Sequence, residues 1–404
     1  MLTLPPLGLY VHMPWCARKC PYCDLNSHEH RGGTPPFEAY IDALVADLDQ
    51  DLPLAWGRTV HSVFFGGGTP SLFPPEAVDR LLQAASARLR FAPGCEVTLE
   101  TNPGTMEHGR FEDYLRAGVN RLSFGIQSFD DGCLARLGRI HDSAQAEAAV
   151  KRAQDAGFDN LNLDLMYALP AQDLAMAEAD VERAIALQPT HVSHYQLTLE
   201  PNTVFAARPP RDLPDDDLAW DMQLRCQARL AEAGYVHYEV SAYARPGRQC
   251  AHNLNYWRYG DYLGIGAGAH GKLTLPSMDG PEGRILRRWK VKHPAAYLAN
   301  AGTPAAIGAD EVVAPTARPF EFMLNALRLR EGFPVAMFEA RTGLPFDAIR
   351  LPIERAMACG WLEREGDVIR PTDAGLRFAN DVMTLFLDAS PEAHPTPGGV
   401  RHGS

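Results

Sequence analysis

Three cysteines within eight residues constrain this chain more than any other feature of its sequence. They lie in the segment Cys16-Ala-Arg-Lys-Cys20-Pro-Tyr-Cys23, directly after an apolar run. Thiolates at this spacing fold back from one loop onto a single small centre, and soft sulfur ligands favour an iron–sulfur cluster or zinc. A cubic four-iron cluster held by three thiolates keeps one iron open, whereas structural zinc takes four ligands, which His12 or His28 could complete. The spacing leaves both metals open.

The composition indicates a globular protein that works on small molecules. The 404 residues are 46% hydrophobic and 22% charged, which allows a sizeable core and more than one domain. The formal charge of −12 argues against a nucleic-acid partner and against binding to anionic lipid. The first residues contain no basic region and no long apolar segment, which favours a cytoplasmic protein without a membrane span. A reducing cytoplasm would keep the thiols free for metal.

Short β-like runs alternate with amphipathic helical stretches through residues 1–237, and this alternation is typical of βα units with a parallel sheet. Six such units are too few to close an eight-stranded barrel. We therefore predict an α/β fold whose core domain is an incomplete barrel of six βα units. The predicted strands are 7–12, 60–65, 95–100, 119–126, 160–165 and 191–197.

Glycine-rich or polar groups follow the carboxyl ends of successive predicted strands. The cysteine loop follows the first strand, and the glycine loop Gly66-Gly-Gly-Thr-Pro70 follows the second. Glu100, Gln127 and Asp164 end the next three. In parallel barrels the loops at this end build the active site, so these groups should converge on one cleft. The glycine run lacks the lysine of a phosphate-binding loop, but it lets backbone approach a small polar ligand.

Several further motifs accompany the cysteine and glycine loops along the chain. They are Tyr10-Val-His-Met-Pro-Trp-Cys16, Glu100-Thr-Asn-Pro103, Leu122-Ser-Phe-Gly-Ile-Gln127 and Asp164-Leu-Met-Tyr-Ala-Leu-Pro170. The cysteine loop followed by the glycine loop resembles the radical S-adenosylmethionine (SAM) superfamily. With the other motifs in order, the sequence resembles the oxygen-independent coproporphyrinogen III dehydrogenase family over nearly the whole chain.

The resemblance implies the cofactors and the residues that bind them. Cys16, Cys20 and Cys23 would hold a [4Fe-4S] cluster, and the amino and carboxylate groups of SAM would chelate its open iron. An electron donor to the cluster is implied as well. The chemistry of the implied SAM contacts agrees, because carboxylates accept hydrogen bonds from ammonium or ribose hydroxyls and arginine pairs with a carboxylate. These contacts are Tyr10, Gly68, Thr69, Glu100, Gln127, Arg139 and Asp164.

The sequence departs from the dehydrogenase pattern in two places. The dehydrogenases have a fourth Cys two residues after the third, where this chain has Leu25, and they carry an N-terminal extension before the first strand. The heme chaperones of the family lack both features. The resemblance therefore implies a heme chaperone that delivers heme to apo-hemoproteins, with any membrane contact made through those acceptors. The alternative is a radical SAM enzyme acting on a tetrapyrrole, for example by decarboxylating coproporphyrinogen III, and the sequence assigns no catalytic residue.

A second motif of these chaperones, HNxxYW, reads His252-Asn-Leu-Asn-Tyr-Trp257 in this chain. Histidine is a common axial ligand of heme, and Tyr256 and Trp257 offer flat apolar faces to a porphyrin. We therefore predict heme contacts at His252, Tyr256 and Trp257, while a turn packed on the core is the simpler interpretation of the same residues. Cys250 is an alternative thiolate ligand, and His270, after a glycine-rich bend, is a further candidate.

The rest of the chain divides into three segments. Residues 238–309 form a connecting segment that contains the HNxxYW motif. Residues 310–387 show helical patterns followed by a strand–turn–strand wing, which predicts a smaller C-terminal winged-helix-like domain. No basic patch is concentrated in that segment, so a lid or docking surface is favoured over DNA binding. Residues 388–404 are rich in Pro and Gly and are predicted to be disordered.

Overall fold

A computed structural model of the chain describes residues 2–30, 32–105, 111–276 and 283–387. The tail at 388–404, which the sequence predicts to be disordered, lies outside the described residues. The strands are β1 (Leu7–Met13), β2 (Trp15–Cys16), β3 (His28–Glu29), β4 (Thr59–Gly67), β5 (Arg90–Thr101), β6 (Arg121–Gln127), β7 (Leu161–Tyr167), β8 (His191–Gln196), β9 (Val236–Glu239), β10 (Ala242–Ala244), β11 (Asp261–Ile265), β12 (His270–Leu275), β13 (Arg284–Lys290), β14 (Ile307–Val312), β15 (Phe333–Pro334), β16 (Leu362–Glu365) and β17 (Val368–Pro371).

The helices lie between these strands and several begin with an aspartate cap. Asp142, Asp173 and Asp215 each accept a hydrogen bond from a backbone N–H of the following first turn, which satisfies a donor that the helix leaves free. The helices are α1 (Phe37–Asp51), α2 (Pro75–Ser86), α3 (Phe111–Ala117), α4 (Asp131–Arg136), α5 (Ser143–Asp155), α6 (Leu174–Ala186), α7 (Val204–Ala207), α8 (Asp216–Glu232), α9 (Ala251–Trp257), α10 (Pro294–Asn300), α11 (Arg318–Ala326), α12 (Val335–Thr342), α13 (Asp347–Ala358), α14 (Asp373–Arg377) and α15 (Ala379–Thr384).

The centre of the fold is a run of parallel strands in the spatial order β11, β1, β4, β5, β6, β7, β8. All but β11 are the strands that the sequence predicts, so the expected α/β core of six βα units is confirmed. β11 pairs in parallel with β1, from Leu7 opposite Asp261 to Val11 opposite Ile265. Antiparallel strands extend both edges, with β12, β13 and β14 beyond β11, and β10 and then β9 beyond β8.

Alternation along each central strand separates an apolar face from a polar face. In β6, Leu122, Phe124 and Ile126 belong to the main hydrophobic core, where the strands pack against the helices. Arg121 and Ser123 alternate with them and point to the opposite face. The polar faces of neighbouring strands meet inside the curve of the sheet, which we call the lumen. The lumen is therefore the place where this fold can assemble polar groups.

The segment 238–309 is built into both edges of the large sheet: β10 lies beyond β8 at one edge, and β11, β12, β13 and the start of β14 lie at the other. Lys290 on β13 is fully buried, pairs with Asp47 and donates to a carboxylate oxygen of Asp51 at 2.8 Å. The Tyr297 hydroxyl donates to Asp47 at 2.7 Å. Removing one partner of a buried ion pair would leave the other charge buried and unpaired, which is costly. This cluster therefore fixes β13 against α1.

Residues after β14 form the smaller C-terminal domain. Helices α11, α12 and α13 pack around a second hydrophobic core that includes Phe322, Phe338 and Ile353. A small antiparallel sheet follows in the order β15, β17, β16, in which β16 and β17 make the predicted strand–turn–strand wing. A bridge between Glu239 and Leu329 joins this domain to the edge of the large sheet at β9.

Candidate cofactor-binding site

A cavity of about 200 Å³ opens at the carboxyl ends of the parallel strands. The three clustered cysteines line it, and so do the glycine loop, Glu100 and Gln127. Glu100 and Gln127 lie at the ends of β5 and β6 as predicted, whereas Asp164 lies in the middle of β7, which runs on to Tyr167, and reaches the cavity from the lumen face of that strand. The convergence that strand order predicted is therefore present in the structure. The lining residues are Cys16, Arg18, Cys20, Tyr22, Cys23, Leu25, Ser27, Gly67, Gly68, Thr69, Pro70, Glu100, Thr101, Asn102, Ser123, Gly125, Gln127, Arg139, Asp164 and Tyr195.

The cysteine loop runs from β1 to α1 and is held by its own backbone carbonyls. Its two short strands, β2 and β3, pair in parallel, with Trp15 opposite His28. The Lys19 ammonium donates hydrogen bonds of 3.1 Å to the carbonyls of both Leu25 and Ser27, which draws the loop into a ring. Cys16 lies on β2, so one thiol comes from a strand and the others from the loop. The loop is therefore shaped before any metal binds.

Cationic and hydroxyl groups surround the thiols. The Arg139 guanidinium donates to the sulfur of Cys20 at 3.6 Å and to the Gly125 carbonyl at 2.6 Å, and the Ser27 hydroxyl lies 3.6 Å from the Cys23 sulfur. Hydrogen bonds to the cysteine sulfurs are among the features that tune iron–sulfur sites. Among the described residues no three His, Cys, Asp or Glu side chains already stand at metal-binding distances, so the thiols would turn inward around a cluster.

His12 is one of the two histidines that could supply a fourth zinc ligand, and both of its ring nitrogens are already hydrogen-bonded within the protein. It shares a hydrogen bond of 2.9 Å with the Tyr10 hydroxyl through Nδ1 and another of 2.9 Å with the Asn26 carbonyl through Nε2. Because both ring nitrogens are engaged, a fourth protein ligand at His12 would require these bonds to break. The thiol set with one position left open fits a cubic cluster better than a closed zinc site.

The glycine loop lies directly against the cysteine strand. The Gly68 N–H donates to the Met13 carbonyl at 2.7 Å, and the Thr69 N–H donates to the Trp15 carbonyl at 2.8 Å. A Cβ atom at Gly68 would stand 2.6 Å from the Trp15 carbonyl oxygen, so only glycine allows this approach. The loop therefore places backbone polar groups beside the thiols with no side chain between them.

Two half-buried carboxyl groups face the cavity from neighbouring parts of the sheet. Glu100 on β5 accepts a hydrogen bond of 3.2 Å from the Gly67 N–H. Burial, followed by the nearby Asp164 charge, raises the pKa of Glu100 to about 8. Asp164 accepts hydrogen bonds from the Asn162 amide at 2.8 Å and the Ser123 hydroxyl at 3.3 Å, and burial raises its pKa as well. A cationic ligand between these two groups would stabilise their ionised forms.

Most of the other predicted SAM contacts line the cavity, whereas Tyr10 lies behind the lining residues. Gln127 has a positive φ of 73°, and its side-chain oxygen accepts a hydrogen bond of 2.8 Å from the Tyr195 hydroxyl. Gln127, Thr69 and Arg139 line the cavity with Glu100 and Asp164. Tyr10 is half-buried and stacks on Phe64, with Glu100 among its charged neighbours. Tyr10 thus lies behind the carboxylate, where it can support Glu100.

Ser123, Asn162 and Tyr195 complete the hydrogen bonding of the site, and the sequence did not single them out. All three are on the lumen face of their strands, in alternation with apolar residues. That alternation is the signal that could have identified them. Polar residues at such positions are also common on ordinary strands, so the signal becomes specific only when the neighbouring strand is known.

The HNxxYW motif forms helix α9, which packs inside the lumen against β4 and β1. His252 is buried, and its Nδ1 and Nε2 atoms share hydrogen bonds of 2.9 Å with the Ser62 and Tyr256 hydroxyls, respectively. Burial lowers the pKa of His252 to about 3. As placed, His252 has no free nitrogen for heme iron, and Cys250, the alternative ligand, is completely buried. Trp257 packs under the Arg328 guanidinium at 4.3 Å.

A chain of hydrogen bonds connects the HNxxYW helix to Asp164. The Asn162 carboxamide, which donates to Asp164, meets His191 Nδ1 at 2.6 Å, and His191 Nε2 meets the Tyr238 hydroxyl at 2.8 Å. The Cys250 N–H donates to that hydroxyl at 3.3 Å and lies just before α9. The polar network therefore has the HNxxYW helix at one end and the Asp164 carboxylate, which lines the cavity, at the other.

Replacement of His252 by Ala should therefore lower the free energy of unfolding by about 2–4 kcal/mol, because it opens a cavity and leaves buried hydroxyls unpaired. Urea unfolding followed by circular dichroism measures this loss, and His61→Ala, an exposed position on β4, is the matched control. We expect the heme spectrum of the variant to match that of the unaltered chain. A shifted Soret band with unchanged stability would identify His252 as the ligand instead.

Known proteins match both parts of the chain. The Radical SAM superfamily profile matches residues 10–184, and the HemN C-terminal domain profile matches residues 313–378. Coproporphyrinogen III oxidase (HemN) from Escherichia coli, described as a radical SAM enzyme, superposes with a TM-score of 0.77 at 24% identity, covering 95% of this chain and 90% of its own. At that identity the match supports the fold alone. The chain is thus a radical SAM protein with a HemN-type C-terminal domain, which gives it a [4Fe-4S] cluster and SAM as cofactors.

Relatives of higher identity define the family more narrowly. The heme chaperone HemW of Escherichia coli (strain K12) is 49% identical over 387 residues, which cover 96% of this chain and all of the relative. HemW of Haemophilus influenzae is 48% identical over 96% of this chain and 99% of its own length, and HemW of Mycobacterium tuberculosis (strain H37Rv) is 36% identical over 95% of each. The chain belongs to the HemW family. Within the described residues, no helix combines the length and apolarity that crossing a membrane requires.

Proposed function

We propose that Cys16, Cys20 and Cys23 hold the [4Fe-4S] cluster of this radical SAM protein. The observation that supports this assignment most directly is that the three thiols line one cavity with the glycine loop and two half-buried carboxyl groups. Arg139 donates to the sulfur of Cys20, the Ser27 hydroxyl lies 3.6 Å from the sulfur of Cys23, and both groups would donate to the sulfurs of a bound cluster site. With three protein ligands, one iron stays open to a ligand from the cavity.

SAM would occupy the remainder of that cavity. Glu100 and Asp164 would accept hydrogen bonds from its ammonium or ribose hydroxyls, while Arg139 would pair with its carboxylate. The backbone of Gly68 and Thr69 and the carboxamide of Gln127 would fix its orientation, with Tyr10 supporting Glu100 from behind. When bound, the cluster and SAM supply reductive cleavage of the sulfonium, for which an electron donor is needed. The residues of this chain bind, orient and shield the cofactor.

Asp164→Ala should weaken SAM binding about thirtyfold, because losing a charge-assisted hydrogen bond in a buried site costs about 2 kcal/mol. Glu100→Ala should act in the same direction. Anaerobic calorimetric titration of the cluster-loaded protein with SAM measures the change, and iron content should stay that of the unaltered chain. Asp159→Ala, just before β7 and exposed, is the control. SAM affinity that is unchanged in both cavity variants would place the SAM site elsewhere.

The function that these features support best is that of a heme chaperone, which binds heme and transfers it to apo-hemoproteins in the cytoplasm. The HemW relatives named above are heme chaperones and align with 95–96% of this chain. Leu25 stands where the dehydrogenases have a fourth cysteine, and its side chain is 49% exposed beside the cavity. Any membrane contact would come from membrane-bound acceptors.

One anaerobic experiment separates this function from decarboxylation of a tetrapyrrole. Cluster-loaded protein is incubated with SAM, a reductant and coproporphyrinogen III, and in parallel with hemin, and the products and spectra are analysed. We expect saturable heme binding and no loss of carboxyl groups from coproporphyrinogen III. Decarboxylation without heme binding would favour the enzymatic alternative.

A further inference from the structure

The heme itself needs a site, and this inference rests on the proposed chaperone function. The cavity at the strand ends is lined by the groups assigned to the cluster and SAM. The HNxxYW helix is packed into the lumen, and His252 has both ring nitrogens engaged. A heme that is to be handed on requires an accessible imidazole, an apolar contact for the macrocycle and cations for its propionates.

Three chain segments that each carry a histidine meet at Asn26, next to the cysteine loop. The Asn26 carboxamide donates hydrogen bonds of 2.9 Å to the carbonyls of both Ala267 and Lys292. These bonds tie together the cysteine loop, the turn between β11 and β12, and the stretch between β13 and α10. We call the surface formed by His28, His270, Trp289, Lys292 and His293 the imidazole face.

His270 is the most available imidazole on this face. It begins β12, its side chain is exposed, and its ring stacks on Trp289 with a centroid distance of 5.9 Å and an interplanar angle of 22°. Among the described residues its ring nitrogens have no hydrogen-bond partner. Burial, followed by the neighbouring Lys292 charge, lowers the pKa of His270, which favours the neutral imidazole that coordinates iron.

His28 and His293 form a second imidazole pair on the imidazole face. Their rings meet edge to face at a centroid distance of 5.7 Å, and His28 Nε2 shares a hydrogen bond of 3.2 Å with the Asn26 carboxamide oxygen. His293 is exposed, so its ring is braced by His28 on one side and open to solvent on the other. The face therefore presents two accessible imidazoles, those of His270 and His293. Lys292 precedes His293 in the chain, and its charge acts on His270.

The surroundings suit the rest of a heme. Lys292 is exposed, so its ammonium is available to a propionate carboxylate. Trp289 and the exposed Leu25 offer apolar contact to the macrocycle. His28 is paired with Trp15 in the β2–β3 ladder that also contains Cys16, which brings the face to the outside of the cluster loop.

We propose that the imidazole face binds heme, with His270 as an axial ligand and Lys292 as a partner of a propionate. An open surface of this kind leaves one side of the heme accessible to an acceptor protein, as delivery requires. It also places the heme against the loop that carries the cluster thiols.

Titration of the full chain with hemin, followed by its Soret band, tests this site. His270→Ala should shift the band and weaken binding about tenfold or more, whereas His61→Ala and His252→Ala should leave the band unchanged. His270→Cys should give a thiolate-type spectrum, a signature that a merely structural role would not produce. Unchanged cluster content and SAM binding verify that each variant is folded.

Two results would count against different parts of the account. A Soret band unaffected by both His270→Ala and His270→Cys, in a protein that binds hemin saturably, would overturn the imidazole face and leave the chaperone function standing. Failure of the unaltered chain to bind hemin would instead remove the proposed function on which the site rests.

Discussion

Replacement of Cys16, Cys20 or Cys23 by Ala is expected to abolish the brown iron–sulfur chromophore of the anaerobically purified protein. The reason is that the cavity offers these three thiols and no further cysteine, so a cluster that loses one of them is held by two protein ligands. Iron and sulfide analysis, together with the visible absorption spectrum, measures the loss. Each substitution should act alone, because the three sulfurs bind one centre.

Cys133→Ala is the matched control for these substitutions. Cys133 is completely buried in a separate apolar cluster with Leu137 and Leu169, away from the cavity lining. The substitution should lower the free energy of unfolding slightly, because packing is lost, and should leave the chromophore intact. Stoichiometric zinc in place of iron in the unaltered protein would contradict the assignment of the centre as an iron–sulfur cluster.

Glu100→Gln should stabilise the SAM-free protein by several kcal/mol at pH 9 and by little at pH 5. Burial raises the pKa of Glu100 from 4.5 to about 8, and one pKa unit corresponds to about 1.4 kcal/mol. Above pH 4.5 the unfolded chain releases this proton while the folded chain keeps it, so folding stability falls as the pH rises through about 8. Glutamine cannot ionise and removes this penalty.

The measurement is urea unfolding of both proteins at the two pH values, without SAM. Glu112→Gln, at an exposed position on α3, is the control and should not change the pH dependence. A stability difference between Glu100→Gln and the unaltered chain that is the same at pH 5 and pH 9 would mean that the Glu100 carboxyl is ionised in the folded state throughout this range. The same variant should bind SAM more weakly, because it loses a charged acceptor.

The parts of the fold that follow from local patterns could be predicted from the sequence. Six parallel strands are visible as short apolar runs between amphipathic helices, and each predicted strand overlaps the observed one. The convergence of Glu100 and Gln127 on one cavity follows from their positions at strand ends, because parallel strands end on the same side of a sheet. Asp164 joins them from the middle of β7, because the alternation of side chains places it on the lumen face. Neither inference requires knowledge of distant contacts.

The parts that depend on distant contacts could not be predicted. The strand Asp261–Ile265 pairs with β1, and its end overlaps the glycine-rich segment 264–270, which resembles a bend. The HNxxYW motif indicates a heme ligand or a turn packed on the core, whereas the structure makes it a helix in the lumen, where Ser62 on β4 offers a buried partner to His252. Only the assembled sheet brings Ser62 and His252 together.

The same limitation explains the different outcomes for two histidines. His12 lies near the end of β1 and His270 begins β12, and the sequence analysis named each of them as a candidate ligand. In the structure His12 is enclosed by Tyr10 and Asn26, whereas His270 is exposed and stacked on Trp289. Accessibility separates a structural imidazole from a candidate ligand, and accessibility depends on the tertiary packing.

Transfer of heme from the loaded protein to an apo-hemoprotein tests the proposed function most directly. Hemin-loaded, cluster-containing protein is mixed with increasing concentrations of an apo-hemoprotein from the same organism, and the acceptor's Soret band is followed in time. If the chain is a heme chaperone, the transfer rate rises with acceptor concentration, because heme passes within a complex of the two proteins. A rate that stays at the spontaneous dissociation rate of heme at every acceptor concentration would contradict the account.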